Sequence, residues 1–402
     1  MTVNETRKRL IITDGRIVTP TTVCQGSVVI EAGVITEVTT HRYVATSTKE
    51  ETVVGVGGRY VLPGIVCLHN DGQEKALNPR PKTNFPPDFA LLAYDRELAG
   101  AGITTQFHAV YFAPLAGMER GIDGAIAMAH AISDFATSSY ASLDHFLLLR
   151  CEVRTPGSLD AVLTCLDLTP TCMISVDDHV PGRGQYRHVA QHPELVTQHL
   201  EPGKPADEAM AAWLVEREAR ARETELHVAA LHKQLARASR EHDVTLVSHD
   251  DDTVEKVTMM QRLGAQVAEF PVTIEAAQQA HELGMWVSMG APNVVRGGSL
   301  MGNVSARVLA QHGLLDILIS DYHASSMLYA AFLLAKSGIV SLPKAVAMIT
   351  ATPATAAGLG DRGALVPGLR ADVIVVEMRG TIPVVMQQIF VGSTKVHFGE
   401  YG

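Results

Sequence analysis

A histidine and an aspartate follow an apolar run early in the chain, where the run 60–68 ends in His69-Asn70-Asp71. Alternate residues of a β-strand project from the same face. We therefore expect His69 and Asp71 to project together from the end of a strand. An imidazole and a carboxylate held on one rigid face suit a divalent metal ion. This pair is the first candidate metal-binding feature of the sequence.

Four further apolar runs end in side chains that can bind metals, within LLLRCE, ISVDDH, TLVSHDD and DILISDYH. A lone histidine after a strand is more often a packed or hydrogen-bonded residue, and a lone aspartate there is more often a helix N-cap. Chance rarely places a ligand type at the same structural level five times, so the recurrence favours a metal site. The predicted ligands are His69, Asp71, Glu152, His179, His249 and Asp321, with Asp250 as an alternative ligand or a partner of His249.

Such a ligand set predicts hydrolytic chemistry with a divalent metal cofactor. Carboxylates and histidines together could hold two ions about 3.5–4 Å apart. Zinc is expected first, with manganese, iron or cobalt as alternatives, because these ligand types suit all four metals. The site would turn water into a nucleophile near neutral pH, and Asp321 could take or pass on its proton.

The centre of the chain alternates strand-like apolar runs with helical stretches, which predicts a (β/α)8 barrel of the TIM type. In such barrels the active site lies at the carboxyl ends of the strands. An open doubly wound sheet is the alternative, and a glycine-rich phosphate loop after the first strand would favour it; the sequence has no such loop. The predicted strands are 61–68, 103–110, 144–151, 172–178, 244–248, 265–270, 285–290 and 314–320.

Both ends of the chain are rich in short strand-like runs separated by turn signals such as Asp14-Gly15 and Ala32-Gly33. We predict that 1–60 and 363–402 together form a small β-sandwich domain, with the barrel over 61–362. The stretch 206–242 is strongly helical, with charge pairs at helix spacing. A solvated barrel helix is favoured there over a lid or a dimer surface.

Composition narrows the class of protein. The chain has 402 residues, 47% hydrophobic and 19% charged, which is typical of a soluble globular protein. A net charge of -10 argues against a general nucleic-acid binder. No run approaches transmembrane length, and no apolar signal core opens the chain. Five cysteines without a CxxC spacing predict reduced thiols and a cytoplasmic location.

Longer motifs carry a family resemblance. The LPG before the first histidine, the late Ser-Asp and the return segment 351–376 resemble the amidohydrolase superfamily. The stretches 68–86, 248–251, 268–273 and 289–306 are similar to the phosphonate-pathway diphosphatases that act on α-D-ribose 1-methylphosphonate 5-triphosphate. The resemblance implies metal-dependent cleavage of a ribosyl 5-triphosphate to the 5-phosphate and pyrophosphate. The first pair is His-x-Asp rather than His-x-His, as in the renal-dipeptidase-like branch, with Glu152 as the bridging carboxylate.

A triphosphate substrate needs cations and hydrogen-bond donors around it, and loops after several strands contain them. Any single loop arginine is more often a solvated charge, but three basic loops on one face favour phosphate. The partner is then a small anionic phosphorylated molecule, and a homodimer is a further hypothesis. Predicted phosphate-binding residues are Arg80, Lys82, Arg183, Gln185, Asn293, Arg296 and Asn303.

Two other functions stay open at this level. The first is an amide-ring hydrolase or a deaminase on the same fold, since a fold does not determine a function. The second is a binding protein on a barrel that has lost catalysis, and the full set of candidate ligands argues against it. The predicted arginines and lysine distinguish these two functions from phosphate hydrolysis, because they support a phosphate substrate only if they surround a pocket.

Overall fold

The computed structural model describes residues 9–41, 43, 51–80, 83–114, 120–191, 205–299, 302–391 and 396–400. The first five elements are short strands. The turn between the second and third strands is Ala32-Gly33, whose φ angles of 49° and 80° are both left-handed, as a two-residue hairpin requires. The strands are β1 (Arg9–Val18), β2 (Val23–Glu31), β3 (Val34–Thr39), β4 (Glu51–Gly55) and β5 (Tyr60–Pro63).

Eight strands follow in the centre of the chain, each parallel to the next in sequence order. The last closes on the first through a parallel bridge between Asn70 and Asp321. Apolar side chains such as Val66, Phe107 and Val247 fill the interior. The predicted (β/α)8 barrel is confirmed. Its strands are β6 (Ile65–Asn70), β7 (Ile103–Tyr111), β8 (Asp144–Glu152), β9 (Cys172–Asp177), β10 (Thr245–His249), β11 (Val267–Glu269), β12 (Trp286–Gly290) and β13 (Ile317–Ile319).

Helices cover the outside of the barrel, and several begin at side-chain caps. Thr253 and Thr273 accept the backbone N–H groups of Lys256 and Ala276, as N-cap residues do. A 3₁₀ helix spans Gly184–Gln191. The α-helices are α1 (Gly72–Leu77), α2 (Pro87–Gly100), α3 (Ile122–Ala136), α4 (Ser158–Cys165), α5 (Ala206–Glu241), α6 (Val254–Leu263), α7 (Ile274–Glu282), α8 (Ala291–Arg296), α9 (Ala306–Gln311), α10 (Ser326–Lys336), α11 (Leu342–Ala347) and α12 (Ala351–Ala356).

The 36-residue helix α5 matches the predicted helical stretch 206–242. Its C-terminal half carries Val228 and Leu235, which are buried against the barrel core. Further towards its N-terminus, Val215 and Leu226 are exposed. The packed half therefore serves as a barrel helix, as predicted for this stretch. Among the described residues, no helix is both long and apolar enough to cross a membrane.

The chain returns to its beginning through β14 (Val373–Arg379), β15 (Ile382–Val391) and β16 (Val396–Glu400). β14 pairs antiparallel with β5, and β5 pairs with β1, so strands from both ends of the chain form one small β unit as predicted. Its eight strands are hydrogen-bonded as a single continuous sheet with a shared apolar core that includes Ile12, Ile35 and Val373.

The predicted strand 61–68 is two strands, β5 and β6, that belong to different sheets. Gly64 separates them, and its N–H donates to the Asp372 carbonyl at 2.8 Å. A Cβ at this position would lie 2.2 Å from the Thr104 Oγ1 atom, so the close approach requires glycine. The domain boundaries at 60/61 and 362/363 stay predictions, and β5 crosses the first of them as a strand of the terminal sheet.

Candidate metal centre

The first group of candidate ligands forms where the barrel closes. His69 and Asp71 lie at the end of β6, and Asp321 follows β13. The Asp71 N–H donates to the Asp321 carbonyl and the Asp321 N–H to the His69 carbonyl, both at 3.0 Å. These backbone hydrogen bonds fix the two strand ends against each other. One ligand atom from each of the three side chains lies within 4.8 Å of the other two.

The second group lies at the ends of β9 and β10. Ligand atoms of Asp177, His179 and His249 lie within 4.8 Å of one another. Asp250 is a further candidate, because its Oδ2 is 3.6 Å from the Nε2 atoms of both His179 and His249. The alternative ligand predicted from sequence, Asp250, thus faces the same space as the two imidazoles.

Two glutamates orient the three histidines. The Nδ1 atoms of His69 and His249 are 3.0 and 2.9 Å from the Glu269 Oε2 atom. The Nδ1 atom of His179 is 2.7 Å from the Glu152 Oε2 atom. Because a carboxylate accepts, each Nδ1 carries the proton and each Nε2 keeps a lone pair available for a metal.

The residues present fit a divalent ion. The His69 Nε2 and Asp250 Oδ2 atoms are buried and have no hydrogen-bond partner within the described part of the chain. A buried polar atom without a partner is costly, and a cation coordinated by it would remove that cost. Imidazole nitrogens together with carboxylate oxygens are the donor set that zinc and similar metals take.

The charges in the site perturb several pKa values. Burial alone would raise the pKa of the Glu269 carboxyl, but the His69 and His249 imidazoles lower it to about 2. Burial and the nearby Asp71 carboxylate raise the pKa of Asp321 to about 6. Burial would lower the pKa of His179, but the hydrogen bond to Glu152 raises it above its usual value. This density of carboxylates suits a bound cation.

Arg150 is a cation within the barrel mouth that the sequence motifs did not reveal. Its Nη2 atom lies 2.8 Å from the Asp177 Oδ2 atom and 3.3 Å from the His249 Nε2 atom. Burial would raise the pKa of Asp177, but Arg150 holds it well below its usual range. The guanidinium also lies over the Tyr111 ring, whose hydroxyl donates to Glu152 at 2.7 Å. Asp177 is therefore paired with Arg150, whereas the Asp250 Oδ2 atom has no hydrogen-bond partner among the described residues.

Three residues at the mouth have left-handed backbones although they are not glycine. The φ angles of Asp250, Phe270 and Asp321 are 53°, 53° and 56°. Such conformations are strained for residues with a side chain and cluster at functional sites. Here they follow strand ends and interrupt the alternation of side chains, so that His249 and its neighbour Asp250 both line the same cavity.

Four of the predicted phosphate-binding residues line the cavity that contains His69, Asp71 and Asp321; they are Gln185, Asn293, Arg296 and Asn303. Asn293 also has a structural contact, since its Oδ1 accepts the Ala306 N–H at 2.9 Å. The Asn303 Oδ1 atom is buried and, among the described residues, has no hydrogen-bond partner.

The other predicted phosphate-binding residues lie elsewhere. Arg183 is exposed, lies outside the lining of this cavity and is 3.5 Å from Glu225. Arg80 is exposed and also lies outside the lining. Lys82 is outside the described residues. Of the three predicted cations that the structure describes, Arg296 is thus the one at the cavity.

All six predicted metal ligands lie at the barrel mouth, but Glu152 sits beside His179 rather than between the two groups. Sequence reasoning did not single out Glu269 or Arg150. The signal for Glu269 was present, because it ends the strand-like run in AEFPVT at the level of the other ligands. Arg150 lies two residues before Glu152, so that both face the same side of β8.

Solved structures of other proteins share the fold of this chain. The fold is similar to that of N-isopropylammelide isopropylaminohydrolase from Burkholderia multivorans ATCC 17616, at 16% identity over 97% of this chain and 98% of that chain, with a TM-score of 0.61. It is also similar to enamidase, a member of the amidohydrolase superfamily, at 14% identity over 96% and 95% of the two chains, with a TM-score of 0.61. These likenesses show that the chain has the fold of the amidohydrolase superfamily.

A relative in sequence narrows the family. The α-D-ribose 1-methylphosphonate 5-triphosphate diphosphatase of Escherichia coli (strain K12) is 35% identical over 374 residues, which are 91% of this chain and 94% of the relative. The chain belongs to this diphosphatase family, as the sequence motifs predicted. No family model matches the chain.

Proposed function

We propose that the protein is a metal-dependent diphosphatase of phosphonate catabolism. It cleaves α-D-ribose 1-methylphosphonate 5-triphosphate to the 5-phosphate and pyrophosphate. Membership of the diphosphatase family supports this substrate. The observation that carries the proposal is the convergence of His69, Asp71 and Asp321 at the point of barrel closure, beside a cavity that Arg296 also lines.

Two groups of residues would hold the metal. His69, Asp71 and Asp321 would hold one ion, and His179 and His249 with Asp250 would hold a second. Zinc is the expected metal, since these donors match its preferences. A divalent ion bound there supplies Lewis acidity and makes water acidic enough to act as a nucleophile near neutral pH.

The chain's own residues supply the proton transfers and the charge stabilisation. Asp321 is buried beside Asp71 and would lie next to the bound ion, so its carboxylate is placed to take a proton from water and pass it on. Arg296 and the amides of Gln185 and Asn303 line the cavity and would bind the oxygens of the phosphate chain. Charge on the departing pyrophosphate would be stabilised by the same donors.

A substrate screen tests the proposal. Protein loaded with zinc is offered the ribosyl triphosphate, nucleoside triphosphates and cyclic amides, and pyrophosphate, phosphate and ring opening are followed. We expect pyrophosphate release from the ribosyl triphosphate that stops after chelation and returns with added metal. Hydrolysis of a cyclic amide without pyrophosphate release would instead establish the amide-hydrolase alternative.

A further inference from the structure

One carboxylate oxygen lies between the two ligand groups. The Glu269 Oε2 atom is 3.0 Å from the His69 Nδ1 atom and 2.9 Å from the His249 Nδ1 atom. His69 belongs to the first group and His249 to the second. All three residues are at least 97% buried, so water does not compete for these hydrogen bonds.

The barrel holds Glu269 firmly in this place. It ends β11 directly beside His249 of β10, with which it is paired in the parallel register. Its carbonyl accepts the Asp250 N–H, and the N–H of the next residue, Phe270, donates to the Ser288 carbonyl, both at 2.9 Å. The backbone on each side of Glu269 is thus bonded to a neighbouring strand.

The two imidazoles are arranged as a shared acceptor requires. Their ring centroids are 6.2 Å apart and the ring planes differ by 26°. Phe270 packs edge-on against both rings, at centroid distances of 5.8 Å to His69 and 5.5 Å to His249. With both Nδ1 atoms directed at Glu269, both Nε2 atoms are unprotonated. The His69 Nε2 atom has no hydrogen-bond partner among the described residues, and the His249 Nε2 atom faces the Arg150 guanidinium at 3.3 Å.

We propose that Glu269 is a positioning residue shared by both metal-binding groups, and that it holds His69 and His249 at once in the ligating tautomer. The inference rests on the metal dependence in the proposed function. It makes the two groups interdependent, because a change at one carboxylate alters a ligand of each. Glu152 differs: its Oε2 atom contacts one candidate ligand of the described residues, His179, and otherwise accepts from the Tyr111 hydroxyl.

Zinc titrations of metal-free protein test this with three variants that make the same chemical change. In Glu269→Gln the neutral amide is a weaker acceptor for the two N–H groups, and we expect both binding steps to weaken. Loss of a carboxylate partner of a metal-ligating histidine typically costs about 10–100-fold in affinity. Glu152→Gln should weaken only the step that involves His179. Glu377→Gln, at a partly exposed pair with Arg59 on the terminal sheet, should change neither.

The outcomes separate the two proposals. Wild-type protein that binds no zinc would overturn the metal dependence and this inference together. Zinc binding that Glu269→Gln leaves intact, or weakens in one step only, would overturn the inference alone. Circular dichroism and the melting temperature check that each variant is folded.

A spectroscopic measurement tests the tautomers directly, without metal or substrate. In protein labelled with ¹⁵N-histidine, we expect His69 and His249 to show a protonated Nδ1 and an unprotonated Nε2. Glu269→Gln should move both residues towards a mixture of tautomers, whereas Glu152→Gln should move His179 instead. Unchanged shifts of His69 and His249 in Glu269→Gln would contradict the positioning role.

Discussion

Carboxylates at the barrel mouth are chemically alike but differ in role because their neighbours differ. Glu269 accepts from two imidazoles, and against the effect of burial these neighbours lower its pKa to about 2. Asp177 is paired with Arg150 at 2.8 Å. Asp321 is buried and faces another carboxylate, Asp71, and the two effects together raise its pKa to about 6. Residue type alone does not distinguish an orienting group from a proton carrier; the neighbouring charge does.

Asp321→Asn tests the proton-carrying role. The amide keeps an oxygen that can bind metal but can neither take up nor release a proton near neutral pH. We expect turnover of the ribosyl triphosphate to fall by about 100-fold to 10,000-fold while zinc is retained. Initial rates of pyrophosphate release and elemental analysis measure the two quantities. Undiminished turnover with the metal in place would remove Asp321 from the mechanism. The matched control is Asp88→Asn, at an exposed position on α2, which should change neither quantity.

His108 makes the folded protein sensitive to acid. It is fully buried, and its Nε2 atom lies 2.8 Å from the His145 Nδ1 atom. Burial, and then His145, lower the pKa of His108 well below its usual value. Below about pH 6.5 His108 binds a proton in the unfolded chain but stays neutral in the folded protein. The free energy of unfolding therefore falls as the pH falls.

This argument predicts a smaller acid sensitivity for His108→Gln. One such histidine contributes a slope of up to about 1.4 kcal/mol per pH unit. Urea denaturation of metal-free protein at about pH 7.5 and about pH 5.5 measures the loss of stability between the two values. We expect a smaller loss in His108→Gln than in wild type, and an unchanged loss for the exposed His312→Gln. Equal losses in all three proteins would contradict the assignment.

At the scale of elements, barrel closure is what brings the first ligand group together. Asn70 lies between the two ligands of β6 and is fully buried. Its amide donates to the Ser320 Oγ atom next to Asp321, and its Oδ1 accepts from the Tyr94 hydroxyl and, at 2.7 Å, from the Gly72 N–H. One side chain thus connects the first strand, the last strand and α2.

Asn70→Ala should therefore destabilise the protein by about 3 kcal/mol, because it leaves several buried polar groups without a partner. Tyr94→Phe removes only one donor to Asn70 and should cost about 1 kcal/mol. Denaturant midpoints compare the two variants, and zinc affinity should fall in Asn70→Ala as β6 and β13 lose their connection. A cost for Asn70→Ala no greater than that for Tyr94→Phe would refute this role for Asn70.

The same elements explain what the sequence could predict. Buried parallel strands are nearly continuous apolar runs, so β6 to β13 were recognisable, and so were the ligands that end them. Glu269 and Arg150 were missed because their roles arise from neighbours far away in sequence, namely His69 and Asp177. Apolar periodicity does not encode the path of a loop, so the direction of Arg183 towards Glu225 could not be read from the chain.

At the scale of the whole molecule, stability and chemistry lie at opposite ends of the barrel. Asp144 begins β8, and Glu152 ends it at the mouth. The Asp144 Oδ2 atom accepts from Arg362 at 2.5 Å and from Arg370 at 2.6 Å. These arginines lie on the segment that returns to the terminal sheet, so one carboxylate joins the lower end of the barrel to that segment. Residues at this end of a barrel serve stability rather than catalysis.

Asp144→Asn is accordingly predicted to lower the free energy of unfolding by about 3 kcal/mol, because it removes the anionic partner of two largely buried guanidinium groups. Pyrophosphate release by the folded variant should equal that of wild type, since the change lies at the far end of β8 from the metal ligands. Glu377→Gln breaks a partly exposed ion pair on the terminal sheet and should lower the urea midpoint far less than Asp144→Asn does. Equal midpoints for the two variants, or a loss of turnover in folded Asp144→Asn, would show that the two ends of the barrel are not separated in this way.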